Sequence, residues 1–272
     1  MGAVNWPRRI LTVVVAVPAA LQLLRYDAGM WLLATTLCAL SVFEFTSNIA
    51  PRVALSESTA QVPSFGLVVI ALGICAAAGT GSKAIHGLTA MLLGVLAIVY
   101  VVSGFSHAIL LRYASPFGLG LQVLGLACAW VCDSAALVAG SLFGHTKLAP
   151  AISPGKTVAG AVAGVLASAL TALALFGLSQ AGGSLSPATT GTPTPTPTHS
   201  LLPSVPVIEQ LALGLVLGVL CVMGDLIESY LKRVADVKDS GAFFPGHGGC
   251  LDRMDSFLFV AQALFYYSVY RF

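Results

Sequence analysis

Ten charged residues of this 272-residue chain stand between Asp225 and Asp255: Asp225, Glu228, Lys232, Arg233, Asp236, Lys238, Asp239, Asp252, Arg253 and Asp255. The whole chain has only 13 basic and 11 acidic residues, so this short window holds a large share of its charge. Asp225, Glu228, Ser229, Lys232, Asp236 and Asp239 recur mostly at intervals of three and four, which predicts one polar stripe along a helix. Alone, that stripe reads as a solvated helix face held by ion pairs. The continuation does not, because Gly241-Ala-Phe-Phe-Pro-Gly-His-Gly-Gly249 breaks the helix and sets a histidine among four glycines. Glycine lets a backbone approach a ligand closely and turns N–H groups toward anions. Asp252 and Asp255 follow three residues apart, and two carboxylates so placed repel unless a cation joins them. With Asp225 and, as a fourth choice, Asp239, they are the expected ligands of an oxygen-coordinated Mg²⁺ site with room for a second cation. Lys232, Arg233, Lys238 and Arg253 remain for phosphates. Carboxylates for a hard cation, cations for phosphate and a glycine loop for close approach together suit phosphoryl or nucleotidyl transfer.

The elements that must carry these residues are membrane helices. The chain is 57% hydrophobic and 9% charged, with a mean hydropathy of +0.91, which excludes a soluble globular domain. A bilayer span needs about 20 mostly apolar residues. Candidate spans fall at roughly 10–24, 28–49, 65–79, 85–105, 117–143, 158–178, 208–224 and 255–271. The expected fold is an all-α polytopic membrane protein of about eight helices, plus or minus one, with the first segment retained rather than cleaved. Lys147 and Lys156, and the four basic residues of the charged window, put two loops on the cytoplasmic side. The stretch from Ser179 to Pro206, which has no basic residue, goes outside. Five spans before residue 144 then leave the N-terminus outside, against the inside preference of Arg8 and Arg9, and the sequence leaves that conflict open. Residues 184–206, with their Thr-Pro repeat, form a solvated linker. The six cysteines show no C-x-x-C, and Cys128 and Cys132 read as small packing residues. No long basic run points to nucleic acid.

The run from Ser229 to Asp255 resembles the signature of the phosphatidate cytidylyltransferases, or CDP-diacylglycerol synthases. Its matching positions are Ser229, Lys232-Arg233, Lys238-Asp239, His247-Gly248-Gly249, Asp252-Arg253 and Asp255, spaced as in that signature. Cys250 stands where the family usually has a larger apolar residue. Upstream, Asp133-Ser-Ala-Ala, Phe143-Gly144 and Ile152-Ser-Pro-Gly-Lys-Thr157 resemble looser family elements, although Ala159 replaces the usual Glu. The resemblance covers residues 117–272, the expected catalytic membrane region; 1–116 matches only as a hydrophobic multi-span region. It implies transfer of a cytidylyl group from CTP to phosphatidic acid at the cytoplasmic face of the cell membrane, for phospholipid synthesis. The implied catalytic residues are Asp225, Lys232, Arg233, Lys238, Asp239, His247, Asp252, Arg253 and Asp255. Substrate contacts are expected from Asp133, Ser153, Lys156, Thr157, Ser229, Gly246, Gly248 and Gly249. The expected partners are CTP, phosphatidic acid and membrane lipid, with a homodimer as an option.

Several single residues also admit plainer roles. Asp133 lies within an apolar span, where an ionisable side chain is costly and functional by default. Gly155-Lys-Thr157 is not a P-loop, because Pro150 occupies the position of the required first glycine and no strand precedes it. His247 is a general base, a phosphate donor or a loop-ordering residue. Glu44, at the end of the second span, reads as interfacial. Two other functions fit less of the pattern. A CTP-dependent polyprenol or dolichol kinase would phosphorylate an alcohol, and a transporter would scatter polar residues across several mid-membrane helices.

Overall fold

A computed structural model describes residues 18–50, 52, 92–183, 200–244 and 248–272. The expected span at 65–79, most of that at 10–24, Arg8, Arg9 and most of the Thr-Pro linker lie outside the described residues. Helix α1 runs over Asp27–Ile49 and closes in a π-helical turn, Phe45–Ile49. Helix α2 spans Leu92–Ala114, with a second π-helical turn at Ile98–Val102. Helix α3 (Gly118–Phe143) is followed by strands β1 (Lys147–Ala149) and β2 (Ser153–Thr157), then by α4 (Val158–Gly183), α5 (Val207–Val234) and α6 (Leu251–Arg271).

The all-α expectation needs one amendment. β1 and β2 pair antiparallel, with Lys147 opposite Thr157 and Ala149 opposite Ser153. Pro150, Pro154 and Gly155 discourage helix here and favour a turn. Among the described residues five helices are long and apolar enough to cross a bilayer: α1, α2, α3, α5 and residues Val158–Ala181 of α4. These correspond to the expected spans at 28–49, 85–105, 117–143, 158–178 and 208–224. The segment 255–271 is helical within α6, which carries Asp252, Arg253, Asp255 and Arg271 and is not among these five.

By backbone proximity the chain divides into two compact units, Met1–Ser106 with Asp225–Leu258, and His107–Gly224 with Phe259–Phe272. The charged window therefore groups with N-terminal residues.

In the second unit, α3, α4 and α5 pack through small residues. A Cβ on Gly160 would lie 2.6 Å from the Ala136 carbonyl oxygen, and one on Gly164 2.9 Å from that of Cys132. On α5, a Cβ on Gly214 would meet Ala169 Cα at 2.6 Å, and one on Gly218 would meet Val165 Cα at 2.8 Å. Both pairs have the small-xxx-small spacing that lets apolar helices approach closely where lipid supplies no hydrophobic drive. Ser168 Oγ donates to the Gly214 carbonyl at 2.9 Å, and the buried Cys128 and Cys132 thiols face the carbonyls of Ser168 and Gly218. In the same unit, Glu209 accepts hydrogen bonds from Tyr267 Oη and Arg271 Nε, both 2.9 Å, tying the start of α5 to the end of α6.

In the first unit, α5 stops sooner than the polar stripe predicts. Asp236 adopts φ 52°, its N–H donates to the Arg233 carbonyl at 3.1 Å, and the Val237 N–H donates to Lys232 at 2.9 Å. This pair of bonds is the Schellman arrangement, with Asp236 in the left-handed position that glycine more often fills. Asp239 thus leaves the helical stripe and lies exposed in the loop beyond it.

Candidate active site

The end of α5 and the start of α6 supply the carboxylates. Asp225 and Glu228 are one turn apart on α5, and with Asp255 of α6 they form a group whose ligand oxygens lie within 4.8 Å of one another. Glu228 is completely buried and Asp255 is 4% exposed, whereas Asp225 is half-buried. Glu228 is therefore no solvated helix-face residue. Three carboxylates this close repel strongly in a site of reduced polarity, which suits a divalent cation with oxygen ligands. Ser229 Oγ donates to Asp225 at 3.3 Å, and the Ser256 N–H donates to Asp255 at 2.7 Å.

Asp252 has a different setting. Lys232 Nζ donates to its Oδ1 at 2.7 Å, the Ser240 N–H reaches Oδ2 at 2.9 Å, and the Gly249 N–H reaches Oδ2 at 2.7 Å. Burial pushes this carboxyl upward, but the adjacent Glu228 carboxyl, the Lys232 ammonium and the Gly249 N–H outweigh it and hold its pKa below the usual aspartate value. Lys232 is also ion-paired with Glu228, one helical turn away. The side chain singled out for phosphate thus bridges two carboxylates, and Asp252 organises the loop.

That role accounts for two glycines expected to contact substrate. Gly248 has φ +84°, and a Cβ on it would stand 2.6 Å from Asp252 Oδ2. Left-handed backbone and carboxylate contact both demand glycine there. Its carbonyl accepts the Phe244 N–H at 2.9 Å, closing the turn. The Gly249 N–H is directed at Asp252. Gly246 and His247 lie outside the described residues. Arg233, Lys238 and Arg253 are exposed, with Asp239, around this segment.

Two site residues carry no sequence signal. Tyr100, buried in the π-helical turn of α2, is within electrostatic reach of Asp255, Glu228, Asp225 and Asp252. Glu44 is only 5% exposed and accepts hydrogen bonds from Ser240, Cys250 and Leu251, so the interfacial reading is corrected: it is a buried contact of the signature loop. Only their position in apolar helices could have marked either residue. Cys250, the departure from the family pattern, is fully buried against α1, with its Sγ 3.5 Å from Ser41 Oγ. Burial pushes its thiol up to about 11, so it is a packing group.

The remaining expected contacts lie in the second unit. Asp133 is exposed on α3, Ser153 and Lys156 are half-buried on β2, and Thr157 is buried at the end of that strand. Thr157 Oγ1 accepts the Gly160 N–H at 3.2 Å, which caps the first turn of α4.

The Cytidylyltransferase family profile matches residues 10–271. The chain is 37% identical over 171 residues to a phosphatidate cytidylyltransferase of Bacillus subtilis, a match covering 63% of this chain and 55% of that protein. It is 39% identical over 154 residues to one from Synechocystis, covering 57% and 45%. An Escherichia coli protein described as uncharacterized protein YnbB is 31% identical over 210 residues, covering 77% and 62%. The chain thus spans about half the length of the curated relatives it matches. With a profile match running from residue 10 to residue 271, the chain belongs to the cytidylyltransferase family.

Proposed function

We propose that this protein transfers the cytidylyl group of CTP to phosphatidic acid, forming CDP-diacylglycerol and pyrophosphate. The observation that carries this reading is the Asp225, Glu228 and Asp255 cluster, in a membrane protein of a family whose similar members are named for that activity. A phosphate oxygen of phosphatidic acid attacks the α-phosphorus of CTP, the α–β bridging P–O bond breaks, and pyrophosphate leaves with the electron pair. The lipid phosphate is already an oxyanion at neutral pH, so this step needs no strong general base. Positioning and charge neutralisation are what the protein supplies.

The donor set fits Mg²⁺, because all three residues offer carboxylate oxygen and two of them are buried. Asp225, Glu228 and Asp255 would hold it. When bound, Mg²⁺ would supply neutralisation of triphosphate charge. Lys232 keeps Glu228 and Asp252 in place, and the exposed Arg233, Lys238 and Arg253 receive phosphate oxygens. Asp239 and His247 enter as catalytic residues, and Gly246, Asp133, Ser153 and Lys156 as substrate contacts, by the resemblance alone. The basic residues of the charged window support a cytoplasmic setting for the site.

The test is to incubate the purified protein in lipid micelles with CTP, phosphatidic acid and Mg²⁺. Mg²⁺-dependent pyrophosphate release with formation of CDP-lipid is expected. A folded protein that releases none overturns the reading, and formation of CDP with a phosphorylated lipid when a polyprenol replaces phosphatidic acid would identify a kinase instead.

A further inference from the structure

Glu44 stands nearly two hundred residues before the signature segment, yet its carboxylate is enclosed by it. Oε1 accepts the Cys250 N–H at 2.9 Å, and Oε2 accepts the Leu251 N–H and the Ser240 hydroxyl, each at 3.0 Å. Leu251 opens α6, so the two amides are among the donors that a helix start leaves without an intrahelical partner. A carboxylate is favoured there by the helix dipole as well as by hydrogen bonding. Burying a carboxylate is costly unless its oxygens are satisfied, and here three donors of one loop satisfy it.

The neighbours of Glu44 serve the same segment. Asn48, one turn on and within the π-helical turn, donates from Nδ2 to the Ser240 carbonyl at 2.7 Å, and Ser41, one turn back, meets Cys250. Two glycines are shaped around the carboxylate. A Cβ on Gly249 would collide with Glu44 Oε2 and Ser240 Oγ. On Gly241 the three nearest atoms would all belong to Glu44, with Cδ at 2.6 Å. Ser240 and Gly249 are the two residues whose N–H groups hold Asp252, which in turn holds Lys232.

We propose that Glu44 is a positioning residue for cytidylyl transfer, a carboxylate of α1 that fixes Ser240 and Gly241 against Gly249, Cys250 and Leu251 and so sets Asp252 and Asp255 in register with the end of α5. The inference rests on the proposed function for its kinetic consequence, and on geometry alone for its effect on the loop.

The experiment compares wild type, Glu44→Gln, Glu44→Ala, Gly241→Ala and the Glu44→Ala/Gly241→Ala double variant in lipid micelles. It follows steady-state turnover and hydrogen exchange of the peptide covering 248–256. Glu44→Ala should lower kcat about 30-fold or more, because displacing reacting groups by about 1 Å can cost on the order of a hundredfold, while KM for CTP changes less than about threefold. Glu44→Gln keeps one acceptor oxygen and should fall between. Gly241→Ala should match Glu44→Ala, and the double variant should be no worse than either single one, since the colliding side chain is gone. Amides of 250 and 251 should exchange at least about tenfold faster in Glu44→Ala, with α3 and α4 unaffected. Wild-type kcat in a folded Glu44→Ala, or a uniform loss of protection across both units, overturns the proposal. Should Glu44→Ala fail to fold, full activity in Glu44→Gln overturns it and reduced kcat at unchanged KM supports it. A wild-type protein without pyrophosphate release defeats the functional reading alone; unchanged exchange at 250 and 251 defeats the Glu44 inference alone.

Discussion

The charged segment of the first unit and the α3–α4–α5 packing of the second meet one requirement, holding apolar helices together, by opposite means. In the second unit Gly160, Gly164, Gly214 and Gly218 remove side chains, so that backbone lies against backbone. In the first, Glu44, Glu228, Lys232 and Asp252 bury polar groups and pair them with ions or with N–H donors of one loop. The first arrangement costs no desolvation of charge; the second does, and in return it fixes carboxylates at defined places. A sterically packed contact should fail gradually and without chemical consequence. A buried ionic network should fail as a unit.

The largest effect is expected from Lys232→Met. It would leave Glu228 and Asp252 without their shared cation, and breaking a buried pair in this way costs about 3–5 kcal/mol. Thermal unfolding in micelles should show a drop in Tm larger than that of any single glycine replacement in α4 or α5. An equal or smaller drop would erase the distinction between the two regions. Next, Asp255→Asn should lower turnover by about 10²–10³-fold, the usual size for losing one preorganised electrostatic group, while Tm falls far less than in Lys232→Met. Turnover within a factor of about two of wild type would remove Asp255 from the site. Gly164→Val sharpens the other side of the comparison. Overpacking against the Cys132 carbonyl should cost about 1–3 kcal/mol of stability and leave kcat per folded molecule unchanged. Smallest is Thr157→Ala, which removes the cap on the Gly160 N–H and should cost about 1 kcal/mol. A loss of kcat greater than about tenfold at full folding would instead mark Thr157 as a substrate contact.

Much of the architecture was legible from composition, because a helix in lipid must bond its own backbone and carry about 20 apolar side chains. Five of the expected spans correspond to long apolar helices, while the hairpin at 147–157 escaped an all-helical reading because two prolines and a glycine encode only a break. Within the site, helical spacing alone associated Asp225 with Glu228 and Asp252 with Asp255, since residues three apart share a face. The same spacing extended α5 to Asp239, because periodicity does not register a left-handed residue at Asp236.

What this sequence determined by itself is where charge is affordable: in one window at the ends of two helices, in an order specific enough to resemble a single family. Only the tertiary structure decided how that charge is shared. It gave Asp252 to Lys232 and the loop, placed Glu228 with Asp225 and Asp255, and brought Glu44 and Tyr100 from helices far upstream to the same unit. The reason is physical. Local sequence sets which side chains lie on one face of a helix, but a buried carboxylate is tolerable only where partners from other helices surround it, and those partners are chosen by packing over distances that periodicity does not encode.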